Sequence, residues 1–232
     1  MSVTIDQVEK FIGQYVKEEY GRVVGKVLTA FTDITGEVES IEVAVNDSTL
    51  EKIEADRIKL TPDGLVIVPE WKVRALSAEN KLDRVRKRLR AIEEHYRKGS
   101  IPVHAYEDMK RRLERGFEKV KSEVRDVKEA LKRRANDLEY QITRLERDIS
   151  NLMMLYMSNE VSESSYKAAI EYLKDSKTRC IEEKKDIEKH MNLIAKLESE
   201  ASDSHHVPVT SEEKAHTPES VEGPIQVQIM ET

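Results

Sequence analysis

Between Ala75 and Ile194 the apolar residues recur at steps of three and four, and this periodicity restricts the chain more than any other feature. Ala75, Ala78, Leu82, Val85, Leu89, Ile92 and Tyr96 keep the steps 3, 4, 3, 4, 3, 4. Such a stripe is a coiled-coil seam, because a 3.5-residue repeat holds one narrow apolar line on one helix face. A second seam runs through Tyr106, Met109, Leu113, Phe117, Val120, Val124, Val127, Leu131, Ala135, Leu138, Ile142, Leu145, Ile149, Leu152 and Tyr156. Consecutive steps of four at Met109-Leu113-Phe117 and Val127-Leu131-Ala135 act as stutters that relax the supercoil. A helix over about 103–157 is roughly 80 Å long. Nothing that long fits inside a compact domain, so it projects outward or pairs with another helix. A third helix, from about Ser162 to Glu200, carries Tyr166, Ile170, Leu173, Cys180, Ile187, Met191 and Ile194, with Lys177 and Lys184 interrupting the stripe. Leu82, Val85, Leu89, Ile92, Leu113, Val120, Val124, Val127, Leu131, Leu138, Ile142 and Leu145 form the candidate self-association seam.

Composition fits long solvent-facing helices. Charged residues make up 36% and aromatics 5% of 232 residues, against about a quarter charged in an ordinary globular chain. No stretch approaches the roughly 18 apolar residues of a membrane span. MSVTIDQVEK has neither a basic n-region nor an apolar h-region, so no signal peptide is expected. One cysteine, Cys180, excludes an intrachain disulfide and suits a reducing cytoplasm. On the third seam it reads as a small core residue.

Two breaks divide the helical part, and they resemble each other at an offset of 60. YRKGSIPVHAYEDMKRRL (96–113) lies over YMSNEVSESSYKAAIEYL (156–173). Tyr96 matches Tyr156, Tyr106 matches Tyr166, and Gly99 matches Asn159, both tolerant of left-handed backbone. Pro102 and Ser162 then restart the helix as first-turn and N-cap types. The pattern is that of two αα-hairpin turns. It equally suits a helix that folds back once on itself and once on a partner.

The first 73 residues read differently. GEVESIEVAV alternates with period two, and GLVIV follows the turn signal Thr61-Pro62-Asp63-Gly64. About 70 residues in short strands can close into a small barrel and remove exposed edges. Gly13, Gly21 and Gly25 are its candidate turn glycines. FIGQYV, YGRVVGKV, GEVESIEV and GLVIVPEW together resemble a PRC-barrel. Gly21, Gly25 and Val27 carry its glycine-bracketed turn, and Val66, Val68 and Pro69 carry its late strand end. The resemblance implies an adaptor module without catalysis.

The tail is polar and without periodicity over 201–222, which reads as a disordered linker. His205, His206 and His216 have no cysteine or carboxylate spacing that completes a metal site. Gly223 to Met230 then alternates: Ile225, Val227 and Ile229 share one face of an extended strand after Pro224. A lone strand on a flexible tether suits β-strand addition to a partner sheet. A frayed end, or docking on the chain's own barrel edge, is the plainer alternative.

Charge is unevenly spread. Residues 74–98 carry nine basic and four acidic side chains, while 1–73 carry eight and fourteen, and 201–232 one and six. Arg84, Arg86, Lys87, Arg88 and Arg90 are the candidate contact for DNA or anionic lipid. A solvated helix face accounts for the same run. Catalysis is not expected: the sequence has no P-loop, G-x-S-x-G, H-E-x-x-H or cysteine cluster, and no cofactor is implied.

The expected fold class is α+β in several parts. A PRC-barrel-like domain at 1–73 precedes coiled-coil helices at 74–200, with breaks near 99–102 and 158–162. A disordered linker at 201–222 and a partner-binding peptide at 223–232 follow. In this order of parts the chain resembles the archaeal cell-division CdvA family. That resemblance implies a scaffold that forms filaments at midcell and associates with the membrane. It also implies recruitment of an ESCRT-III-like partner of the CdvB type, with Pro224, Ile225, Val227 and Ile229 as anchors. A nucleic-acid-associated protein binding DNA or RNA through the basic first helix is the alternative.

Overall fold

The computed structural model describes residues 3–62 and 64–203. The peptide Pro224 to Ile229, its linker, the three tail histidines and Asp63 of the Pro-Asp-Gly turn lie outside the described residues.

A four-residue helix, α1 (Ile5–Val8), precedes six strands: β1 (Tyr15–Glu18), β2 (Val23–Thr32), β3 (Val38–Asn46), β4 (Thr49–Glu54), β5 (Ile58–Thr61) and β6 (Gly64–Ile67). They form one sheet in the order β4-β3-β2-β1-β6-β5, antiparallel except where β1 meets β6. Alternate residues point inward, and Val16, Val27, Ile41, Val43, Ile53, Leu65 and Ile67 make a buried core. β4 and β5 occupy opposite ends of the sheet, yet three residues in a 3₁₀ turn, Ala55–Arg57, join them. The sheet must therefore curl until its ends meet, and register shifts along β2 supply the bend. The expected barrel is present in outline, but no ladder closes β4 to β5. The 3₁₀ turn sets the two edges apart. Arg57 spans the gap instead, bonding the Val68 carbonyl at 3.2 Å and Glu51 at 3.1 Å.

Three glycines explain the local path. Gly21 sits at φ +82° in the β1–β2 turn, its N–H donating to the Glu18 carbonyl at 2.8 Å. Gly25 has no unusual φ, but a Cβ there would lie 2.2 Å from the Ala44 carbonyl oxygen across the ladder. Gly13, at φ +84°, turns the chain into β1 and donates to the Val27 carbonyl at 2.8 Å.

Pro69 ends the head and caps α2 (Glu70–Arg97); α3 (Val103–Met157) and α4 (Glu163–Asp203) follow. By their rise per residue these helices are roughly 40, 80 and 60 Å long. α3 is a single helix through both stutters. The turns at the two breaks are the same structure. Gly99 has φ +68° and Asn159 φ +61°. Ser100 N–H bonds the His95 carbonyl, as Glu160 N–H bonds Leu155, each at 2.9 Å. Tyr96 stacks on Tyr106 and Tyr156 on Tyr166, both at 4.3 Å between centroids. The chain thus folds back on itself twice.

All three helices share one core, with Leu82, Phe117, Val124, Leu131, Leu138, Cys180, Ile187, Ile194 and Ala201 buried. α2 and α4 run parallel, both antiparallel to α3. Trp71 at the start of α2 stands level with Arg134 and Glu183. Beyond that level, α3 and α4 continue as a two-helix tip ending at Ser158. At the other end, α2 and α3 form a second two-helix tip around Gly99. No described helix is long and apolar enough to cross a membrane.

Candidate functional site at the junction of head and rod

Two acids are buried in the rod, Glu79 of α2 and Glu183 of α4, and Glu183 is the more deeply set. Glu183 is fully buried on α4, between Cys180 and Ile187. The heptad steps would place Lys184 there. Lys184 instead turns outward to pair with Glu139, and Lys177 pairs with Glu146 at 2.6 Å. Glu183 takes the inward place because three donors converge on it. Arg134 of α3 binds both oxygens, Nε to Oε1 at 2.7 Å and Nη2 to Oε2 at 2.9 Å. Trp71 Nε1 of α2 donates at 3.1 Å, and Arg22, just after the β1–β2 turn, donates to Oε2. Arg22 also holds Glu18 at 2.6 Å and lies 3.6 Å from the Cys180 sulfur. Burial acts to raise the Glu183 carboxyl, but the bonds from Arg134 and Arg22 outweigh it and hold it below the usual carboxylate range.

A second group of bonds lies beside it. Asp186 accepts from Tyr20 Oη at 2.7 Å and from Lys72 Nζ at 2.8 Å, and Lys72 also reaches Glu19 at 2.7 Å. Burial opposes ionisation of Asp186, and Lys72 and Tyr20 overcome that and lower its pKa. Burial and the neighbouring Asp186 push the Tyr20 phenol up. Tyr20 stacks on Trp71 at 6.4 Å, and Trp71 meets His190 edge-on at 5.9 Å. His190 Nδ1 lies 2.6 Å from Glu79. The head is therefore fastened to the rod by charge-assisted bonds from the Glu19–Arg22 segment, not by an apolar face. Chemically this arrangement positions; it presents no nucleophile paired with a base.

The structure distributes the residues singled out in the sequence. Leu82, Leu89, Val124, Val127, Leu131 and Leu138 are buried between helices of one chain. Val85, Val120, Ile142 and Leu145 pack against that core. Ile92 and Leu113 line a groove on the α2–α3 tip. The basic run is not uniform. Arg86 is tied to Asp83 at 2.6 Å and to Glu200, and Lys87 to Asp83 at 2.6 Å, while Arg84, Arg88 and Arg90 are exposed. Sequence reasoning missed Glu183, Arg134, Arg22 and Trp71. The available signal was the pair of lysines breaking the third seam.

Comparison with known proteins covers the rod and extends beyond it. The family model described as "CdvA-like coiled-coil domain" matches residues 70–217. Cell division protein A of Sulfolobus acidocaldarius is 34% identical over 200 residues, covering 86% of this chain and 84% of that protein. No solved structure matches.

Proposed function

The chain belongs to the CdvA-like family, and from that premise we propose that it is a non-catalytic scaffold of the cell-division machinery that self-associates and recruits an ESCRT-III-like protein. A role in cell division follows from kinship to a cell division protein over most of both chains. The observation that carries the scaffold reading is the rod itself: a 55-residue helix, α3, flanked by two others and ending, among the described residues, in two-helix tips. A long rigid body with a small adaptor-like head spaces and connects partners and encloses no reaction.

Because the sequence-derived seam is largely occupied within the chain, self-association falls to other surfaces. Exposed apolar residues cluster at the α3–α4 tip, where Met153, Met154 and Met157 face solvent. Recruitment is assigned to residues 223–232, whose alternating Ile225, Val227 and Ile229 suit strand addition to a winged-helix domain. The basic run supplies weak electrostatic contact with a membrane at midcell through Arg84, Arg88 and Arg90. Internal pairing of Arg86 and Lys87 weakens the nucleic-acid alternative.

The test is deletion of 223–232 in the full chain. Assembly, followed by light scattering, is expected to persist, while binding to an ESCRT-III-like partner from the same source is lost. Val227→Asp should reproduce the loss. A truncated chain that binds that partner with unchanged affinity removes the recruitment assignment.

A further inference from the structure

A cleft of about 720 Å³ opens where the head overhangs α3 and α4. That volume lies within the range of small-ligand sites, about 300–1,000 Å³. Three cations from three distant segments line it: Lys17 of β1, Arg144 of α3 and Arg179 of α4. None of their side chains makes a hydrogen bond or ion pair with another described residue. Asp148 is the single carboxylate of the lining. Arg22, which also borders the cleft, is held by Glu18 and Glu183 and so is fixed in place. Gly21 borders the cleft too, with Arg179 Nε 3.7 Å from where a Cβ would stand, an ordinary contact distance. Tyr172 borders the cleft and is 70% exposed.

Three unpaired cations against the one carboxylate of Asp148 leave the concave volume net positive, and such a cleft concentrates anions. The concavity favours a compact, multiply charged ligand over a flat membrane or a duplex, whose charges lie along a line or plane. We propose that this cleft binds a polyphosphate group, inorganic or carried by a nucleotide. Lys17 and Arg179 would bind its oxygens from opposite walls, with Ser176 and Gln141 as neutral partners. The bound anion would tie the head to the α3–α4 hairpin, adding to the fastening at Glu183.

The test is calorimetric titration of the full chain with inorganic triphosphate and, separately, ATP, at low salt without divalent ions. Saturable one-to-one binding is expected, with the thermal midpoint rising as ligand is added. Arg144→Glu with Arg179→Glu should weaken binding by about tenfold or more. Arg84→Glu with Arg90→Glu, on the opposite tip, should leave it unchanged. If circular dichroism shows the first pair misfolded, Arg144→Gln with Arg179→Gln replaces it, with a smaller loss expected. ATP binding more tightly than triphosphate, and weakened by Tyr172→Ala, marks the nucleotide as source; equal binding marks the inorganic anion. Absence of binding up to about 5 mM of either ligand overturns the proposal, since even weak sites register there. Equal weakening by both charge-reversal pairs overturns it too, because the attraction is then diffuse.

Discussion

At Gly99 and Asn159 the chain reverses through bonds between residues at most five apart. At Glu183 it is held by Arg22, Trp71 and Arg134, which lie 161, 112 and 49 residues away. The turns use backbone carbonyls, one left-handed residue and a tyrosine pair, and all of that chemistry is local. The junction uses a buried charge whose partners come from the head and from two other helices. The contrast teaches where uniqueness enters. A heptad seam accepts many registers, whereas a buried carboxylate accepts the one that brings all its donors together.

Breaking the junction should have the largest effect. Glu183→Ala leaves Arg134 without its paired bonds, Trp71 Nε1 without its acceptor and Arg22 with Glu18 alone, and a loss of about 3–5 kcal/mol is expected from denaturant unfolding. A loss below about 1 kcal/mol would mean the junction is no more demanding than an exposed ion pair. Leu138→Ala, in the fully buried seam nearby, should cost about 2–5 kcal/mol without loosening the head. Limited proteolysis between residues 61 and 70 separates the two outcomes.

Acid should sharpen the same comparison more gently. Glu183 and Asp186 have folded pKa values below their usual 4.5 and 3.8. Their stabilisation is therefore present above those usual values and is lost as pH falls through the lowered folded ones. Glu18, raised chiefly by burial, runs the other way and softens the fall. The thermal midpoint is expected to hold from neutral pH to about 5 and to drop below about 4, with the head loosening before the hairpin turns. The turns should respond least. Gly99→Ala places a Cβ at φ +68° and should cost about 1–2 kcal/mol. Asn159→Gly should change stability by a few tenths of a kcal/mol, in the stabilising direction.

Much of this architecture was legible before the structure. The 60-residue offset placed Gly99 over Asn159 and Tyr96 over Tyr156, and the two turns share their backbone bonds and ring stacking. Gly25, read as a turn glycine, stands instead within β2, where the Ala44 carbonyl leaves no room for a Cβ. The closed barrel was legible only in part. Strand patterns show which side chains face inward, but not whether Ala55–Arg57 lets β4 and β5 pair. The seam was readable as a stripe but not its partner: heptads do not distinguish a neighbouring molecule from the chain's own next helix. Glu183 was hidden because a charged residue beside a seam reads as a solvated flank unless its distant donors are known.

The sequence by itself determined the helices, their breaks and the glycine turns, because period, φ preference and capping act over a few residues. The tertiary structure alone decided three things: closure of the seam within one chain, the open ladder of the head, and the union of Arg22, Trp71 and Arg134 on Glu183. Each depends on which distant segments meet, and the free energy of burying a charge or an apolar stripe is set only when they do.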